Sequence, residues 1–387
     1  MRPVNVADYR LAARARLPRV LFDYIDGGSY AETTLAANVA DMQGVKLRQR
    51  VLRDVSKLNM TIELFGQPMA MPLALAPIGI AGMYARRGET AAARAAKAAG
   101  VPFILSTVGV CAIEEVAAAA DPPWFQLYMI RDRGFMHGML ERARAARCPV
   151  LVFTVDLPVP GSRYRDARNG MNSDTFAARL AQARDGVLHP GWMWDVWLNG
   201  RPHTPGNIAH VAPDLKSLTQ FWGWIGRNFD PSVTWKDLDW VRERWDGPLV
   251  IKGILDAEDA REAARLGADG IVVSNHGGRQ LDGVQSGIAA LPAVAEAAGE
   301  TMAVLMDGGV RSGLDVLRAL ALGAKACLIG RAWAFALGAR GEAGVAHMLQ
   351  IMKSELRVAM SLTGCVDVRE AGRGLVVGEA REVRNFA

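Results

Sequence analysis

Little in this 387-residue chain is strongly biased, and each shortage excludes something. It holds only four cysteines, Cys111, Cys148, Cys327 and Cys365, and no Cys-x-x-Cys pair. That is too sparse for a disulfide scaffold and fits free thiols in a reducing cytoplasm. No two histidines share a His-x-His or His-x-x-x-His spacing, so a zinc site is not expected. The 45 Lys and Arg exceed the 40 Asp and Glu by a small margin, and no run of five cations occurs. Nucleic acid is therefore not an expected partner, although a small anion or an anionic surface is compatible. The start, MRPVNVADYRLAARARLPRV, lacks the apolar stretch of a signal peptide. No run reaches the ~18 apolar residues of a membrane-spanning helix. The expected location is the cytoplasmic side. A Gly-x-Gly-x-x-Gly dinucleotide fingerprint is also missing.

What is present is a rhythm. From residue 72 onward, short apolar runs alternate with alanine-rich, charge-decorated segments. Eight runs read as strands: 72–79, 102–107, 124–129, 150–156, 248–253, 270–275, 302–309 and 326–331. Between them lie helical segments such as GETAAARAAKAAG, FMHGMLERARAAR and SGLDVLRALALGAK. Parallel neighbours need crossover connections, so this alternation predicts an α/β fold with a parallel sheet. Eight units predict closure into a (β/α)8 TIM barrel. We expect one domain over 1–387, with residues 1–71 as an N-terminal helical cap that opens at NVADYRLAARARL.

One connection breaks the rhythm. About ninety residues separate the fourth strand from the fifth, and they hold eight of the ten tryptophans. A long insertion after the fourth strand, about 170–247, reads as a lid or binding segment. Leu218, Phe221, Trp222, Ile225 and Phe229 fall at helical spacing, and GWMWDVW adds a second aromatic cluster. Such an aromatic face suits either a peripheral membrane contact, with electrons passed to a quinone, or packing on the barrel or a neighbouring subunit.

Barrel active sites form at the C-terminal ends of the strands. Read in order, those ends carry Pro77 and Gly79, Ser106, Gln126 and Tyr128, Thr154 and Asp156, and Lys252. Ser274, His276 and Arg279 follow, then Asp307 and Gly309, and last Gly330 and Arg331. Polar residues at the ends of apolar strands cost free energy without partners, and eight such ends imply one shared polar ligand. His276 suits a general base near neutral pH. Arg279 and Arg163, in the segment after the fourth strand, suit a planar grip on a carboxylate, and Lys252 suits a developing negative charge. The glycine turns DGGVRSG and IGRA, after the last two strands, suit a phosphate. Together they predict a phosphorylated cofactor across the barrel mouth and an anionic substrate that loses a proton.

The stretch SNHGGRQLDG, with WFQLY, VFTVD, VIKGI and DGGVRSGLDVLRALALGA, resembles the FMN-dependent L-2-hydroxy acid dehydrogenases and oxidases. The likeness runs from DYRLAARARLPRVLFDYIDGG to about Gly364. Within that family, ALAPIGIAGMYARRGE, YRDARNGM, HPGWMWDVWLNGRPH and NFDPSVTWKDL resemble the branch of bacterial membrane-associated L-lactate dehydrogenases. The resemblance implies FMN as cofactor and His276 as base, paired with Asp156. Arg163 and Arg279 would hold the substrate carboxylate, and Tyr24 and Tyr128 would hydrogen-bond the substrate. Lys252 would face the flavin N1–O2 edge. Ser106, Gln126 and Thr154 would bind its ring, beside Pro77, Gly79 and Ser274. Asp307, Gly309, Arg311, Gly330 and Arg331 would hold the ribityl phosphate. It further implies a homo-oligomer and an external electron acceptor, with L-lactate to pyruvate as first choice. An oxygen-using oxidase that makes hydrogen peroxide and a mandelate-type dehydrogenase are the alternatives. Val108 stands where glycolate oxidase carries tryptophan, and Gly79 where several members carry alanine.

Overall fold

All eight expected runs are strands of one parallel sheet: β1 Leu73–Leu75, β2 Ile104–Ser106, β3 Trp124–Tyr128, β4 Leu151–Thr154, β5 Leu249–Ile254, β6 Gly270–Val273, β7 Ala303–Met306 and β8 Ala326–Ile329. The structure, a computed structural model, describes residues 2–377 apart from 172, 174, 210, 213, 214, 216 and 217. Each strand pairs with its sequence neighbours, and β8 returns to β1 through Cys327–Leu73, Leu328–Ala74 and Ile329–Leu75. A parallel bridge between Leu75 and Phe103 joins β1 to β2 and closes the cylinder. The strands are shorter than the apolar runs, although Ser106, Gln126, Tyr128, Thr154 and Lys252 stay in the ladder.

Side chains alternate along each strand. Ala74, Ile104, Trp124, Val152, Val250, Val272, Leu305 and Leu328 form one buried cluster, the barrel interior. Their sequence neighbours, such as Leu105, Phe125, Phe153 and Ile271, pack outward against the helices in a larger cluster. Both faces are covered, which is why the runs read as continuously apolar. A hairpin of Ile62–Leu64 and Gln67–Met69, not anticipated from the sequence, adds Leu64 and Met69 to the inner cluster. Its Phe65 ring meets Trp124 edge-on at 5.6 Å, and Trp124 Nε1 donates to Gln67 Oε1 at 3.1 Å. Trp124 opens β3, so this hairpin plugs the N-terminal end of the barrel. Only the C-terminal end is open.

The next inward positions up the strands are Ser106, Gln126, Thr154 and Lys252, all buried. The interior thus changes from apolar to polar in one residue pair, just below the mouth. Helices Val6–Arg16, Arg19–Asp26 and Thr33–Gly44 form the expected cap. A helical segment over Arg331–Thr363, broken at Arg340 and Gly341, packs on the first of them. All four cysteines are buried and free. The insertion folds into short helices, among them Phe176–Val187 and Leu218–Asn228. No helix among the described residues is long and apolar enough to cross a membrane.

Candidate active site

After β6 the chain turns through three successive left-handed residues, His276 (φ 57°), Gly277 (φ 66°) and Gly278 (φ 71°). Two are glycines, which accept that conformation without steric cost. A histidine there costs about 1–2 kcal/mol, so the surrounding contacts must hold it. Asn275 does part of this: its amide exchanges hydrogen bonds with Asn38 of the cap at 2.9 and 2.8 Å and accepts from Gly278 N at 3.0 Å. Gly278 is also in close approach. A Cβ on it would fall 2.6 Å from Leu35 N. The glycines therefore let the loop lie against the cap while the imidazole turns to the barrel mouth.

His276 Nδ1 sits 2.8 Å from Asp156 Oδ1, just past β4. Burial pushes the imidazole below its ordinary range, against the upward pull of Asp156. His276 is thus neutral at neutral pH, and with Nδ1 engaged, Nε2 is the nitrogen able to take a proton. Burial also opposes the charge on Asp156, but His276 and Lys252 outweigh it and hold the carboxyl below its usual range.

Lys252 Nζ lies 2.9 Å from Ser274 Oγ and 3.1 Å from Asp307 Oδ2. Burial alone would lower its pKa. Asp307 and Asp156 reverse that, and the net shift is upward, so the ammonium stays charged. On the neighbouring strands Ser106 Oγ donates to Gln126 Oε1 at 3.1 Å, and Gln126 Nε2 donates to Thr154 Oγ1 at 3.0 Å. Asp156 Oδ2 and Asp307 Oδ1 are buried with no hydrogen-bond partner among the described residues.

Two cations converge from different elements. Arg279 NH1 donates to the Tyr24 and Gly27 carbonyls at 2.5 and 2.9 Å. Its guanidinium lies 4.7 Å from the Tyr24 ring centre, and that of Arg163 lies 5.7 Å from the same ring. The nearest carboxylate to Arg163 is Asp166, at 3.7 Å. Burial, and then repulsion from Arg279, lower the Arg163 pKa. A second negative group beside them would relieve both effects. Burial raises the Tyr128 phenol, which keeps its O–H as a donor.

These groups surround one cleft of about 1100 Å³, counted out to its open mouth. Of the residues expected from sequence, Tyr24, Pro77, Gly79, Tyr128, Thr154, Arg163, Lys252, His276, Arg279, Asp307, Gly309, Arg311, Gly330 and Arg331 line it. Ser106, Gln126, Asp156 and Ser274 do not. They are bonded to each other or to lining residues. Arg331 spans the cleft floor to the cap, donating to the carbonyls of Ile25, Gly27 and Gly277 at 2.8–3.0 Å. Among the described residues neither the Arg311 nor the Arg331 guanidinium has a carboxylate within 4.0 Å, although the Arg311 backbone N–H donates to Asp315 Oδ2 at 2.9 Å.

Residues 13–377 match the family of FMN-dependent dehydrogenases. The chain belongs to that family. It is an FMN-dependent dehydrogenase, as the sequence led us to expect. It is 59% identical over 376 residues to an L-lactate dehydrogenase of Chromohalobacter salexigens, covering 96% of this chain and 95% of that one. It is 61% identical over 366 residues to an L-lactate dehydrogenase of Caulobacter vibrioides, covering 94% and 95%. Among solved structures it superposes on the monotopic membrane protein (S)-mandelate dehydrogenase with a TM-score of 0.92, at 37% identity, over 98% of this chain and 100% of that one. A mandelate oxidase crystallised with (S)-4-hydroxymandelic acid gives 0.84 at 40% identity, over 97% and 98%.

Val108 lines this dehydrogenase's cleft. Further lining residues that had no assigned site role include Tyr84, Leu157, Phe221, Trp222, Ile225 and Phe229. The last four come from the helix Leu218–Asn228 and the residue after it. That aromatic stripe, one of two candidates for a lipid contact, faces the cleft, as packing on the barrel required. Only the side chain of Leu218 lies outside the described residues.

Proposed function

We propose that the protein oxidises L-lactate to pyruvate with bound FMN and passes the electrons to a membrane quinone. The observation that carries this is the meeting of Arg163, Arg279 and the His276–Asp156 pair at one cleft. The two guanidiniums hold the substrate carboxylate, a group that offsets their mutual repulsion. Tyr24 and Tyr128 hydrogen-bond the substrate oxygens. His276 Nε2 takes the substrate proton, and Asp156 stabilises the imidazolium that forms. Names and identities of the relatives favour lactate over mandelate.

The cleft fits FMN on its own chemistry. When bound, the flavin accepts the two electrons that leave the substrate. Ser106, Gln126 and Thr154, linked side chain to side chain, would hold its ring. Lys252, kept charged by Asp307 and steadied by Ser274, supplies a cation for negative charge on the ring. Pro77 and Gly79, which line the cleft, would border it. Asp307, with one buried oxygen unpartnered, accepts from the ribityl hydroxyls. Arg311 and Arg331, whose guanidinium groups carry no carboxylate, and the helix start at Gly330 suit a phosphate beside Gly309.

The whole chain works as one barrel domain, with 170–247 as its lid. For a lipid contact the support comes from elsewhere on the insertion. Phe176 (81% exposed), Leu180 and Val187 share one helix face, and Leu188, Trp194 (69% exposed) and Leu198 are exposed nearby. Together they form an apolar patch of the kind that marks interaction surfaces, on the cytoplasmic side of the membrane. Co-sedimentation with vesicles, and its loss on F176S/L180S/W194S, tests this contact. Unchanged partition of that variant refutes it. A panel of L-lactate, glycolate and L-mandelate, assayed with quinone analogues and with oxygen, tests the rest. Fast L-lactate turnover with quinone and slow oxygen uptake is expected. Oxygen turnover at the quinone rate would make the protein an oxidase instead.

A further inference from the structure

Arg163 is held in an unusual way. Its side chain is only 10% exposed, yet its polar contacts are long: Nε to the Arg279 carbonyl at 3.4 Å and NH1 to Asp166 at 3.7 Å. Arg279, by contrast, makes two short bonds to carbonyls. Long contacts leave the Arg163 fork poorly fixed, and the neighbouring cation repels it. Two rings make up the difference. The Arg163 guanidinium lies 5.7 Å from the Tyr24 ring centre and 5.6 Å from that of Trp222, and the two rings lie 5.5 Å apart at 54°. Tyr24 is shared, because Arg279 sits closer to it at 4.7 Å. Trp222 serves Arg163 alone among the described cation–ring contacts. Indole also has the strongest ring field for a cation, and the attraction grows where water is excluded.

We propose that Trp222 is a positioning residue for the substrate carboxylate: its indole face fixes the Arg163 guanidinium at the cleft wall. The insertion thereby sets substrate affinity as well as covering the mouth. The inference rests on the assignment of Arg163 to the carboxylate, and the test separates the two.

The FMN-loaded protein and the variants W222L, W222F, R163K and W222L/R163K are compared for KM and kcat with L-lactate and for oxalate affinity of the oxidised form. W222L is expected to raise KM and the oxalate Kd about tenfold, with kcat within about twofold. W222F, which keeps a ring with a weaker field, is expected to raise them about threefold. In the R163K background W222L should add less than about twofold, because the guanidinium it positions is gone. If W222L loses FMN, W222F alone carries the test, and an unchanged oxalate Kd overturns the inference. So does an equal effect of W222L in both backgrounds, which would make Trp222 only a pocket wall. If R163K itself leaves KM and oxalate affinity unchanged, the carboxylate assignment fails first.

Discussion

Replacing Asp156 with asparagine keeps the size of the side chain and removes its charge. Its only side-chain contact within hydrogen-bond distance among the described residues is His276, at 2.8 Å, while Gln280 bonds its backbone carbonyl. The variant should therefore fold and bind FMN. The loss falls on the step in which the imidazole becomes charged. A hydrogen bond to a charged partner contributes about 1.5–3 kcal/mol, which is about ten- to 150-fold in rate. The pH dependence carries a second signature. Burial already holds His276 below its ordinary range, and Asp156 is the main force pulling it back up. Without Asp156 the neutral, active base persists to lower pH. The acid limb of kcat/KM should move to lower pH while the plateau falls by that factor. Anaerobic stopped-flow measurement of flavin reduction across pH reads both. A plateau within about twofold of the parent, or an acid limb moved to higher pH, would refute the pairing.

Three further outcomes follow from other parts of the molecule. A Cβ on Gly79 would fall 2.9 Å from Val108 Cγ2, so G79A should cost about 1–3 kcal/mol by overpacking, and G79A/V108A should recover most of it in thermal melts. Asp282 accepts from Thr34 N at 2.7 Å and from Thr33 Oγ1 at 2.8 Å, capping the helix Thr33–Gly44. D282A should cost about 1 kcal/mol by urea unfolding. Burial opposes its charge, but the hydrogen bonds win and lower its pKa to about 2. A carboxyl lowered on folding stabilises fully above its unfolded value of about 3.9. The gap between parent and D282A should therefore close as pH falls from about 4 towards 2. K252M leaves Asp307 buried beside no cation, which costs about 3–5 kcal/mol when one partner of a buried pair is removed. It should purify with less FMN, and full FMN occupancy with unchanged stability would contradict that.

The strands and their order were legible because each is an apolar run with both faces covered, ending in a polar residue where the barrel opens. His276, Arg279, Lys252 and Asp307 were legible for the same reason: a charge at the end of such a run has nowhere else to point. Side-chain pairing was not legible. Alternation tells that Ser106 and Gln126 face inward, but not that Ser106, Gln126 and Thr154 bond to one another in a row. Direction was not legible on the insertion either. Phe221, Trp222, Ile225 and Phe229 show the same helical spacing whether that face meets lipid or a cleft. Phe176 and Leu180, which are exposed, drew no notice because two residues make no pattern. The hairpin plug was missed because Glu63, Gln67 and Pro68 interrupt its apolar residues, so neither arm reads as an apolar run. Tyr84 sits in a loop, where no periodicity marks an inward side chain.

The central claim is that His276, backed by Asp156, takes a proton from a hydroxy acid gripped by two arginines over bound FMN. Anaerobic mixing of L-lactate with the purified yellow protein and with its H276Q variant tests it most directly. The parent should lose its visible flavin absorption within seconds, while H276Q should hold FMN equally well and stay yellow. Bleaching of H276Q at a rate within about tenfold of the parent would contradict the claim, since a general base contributes about 10²–10⁴-fold.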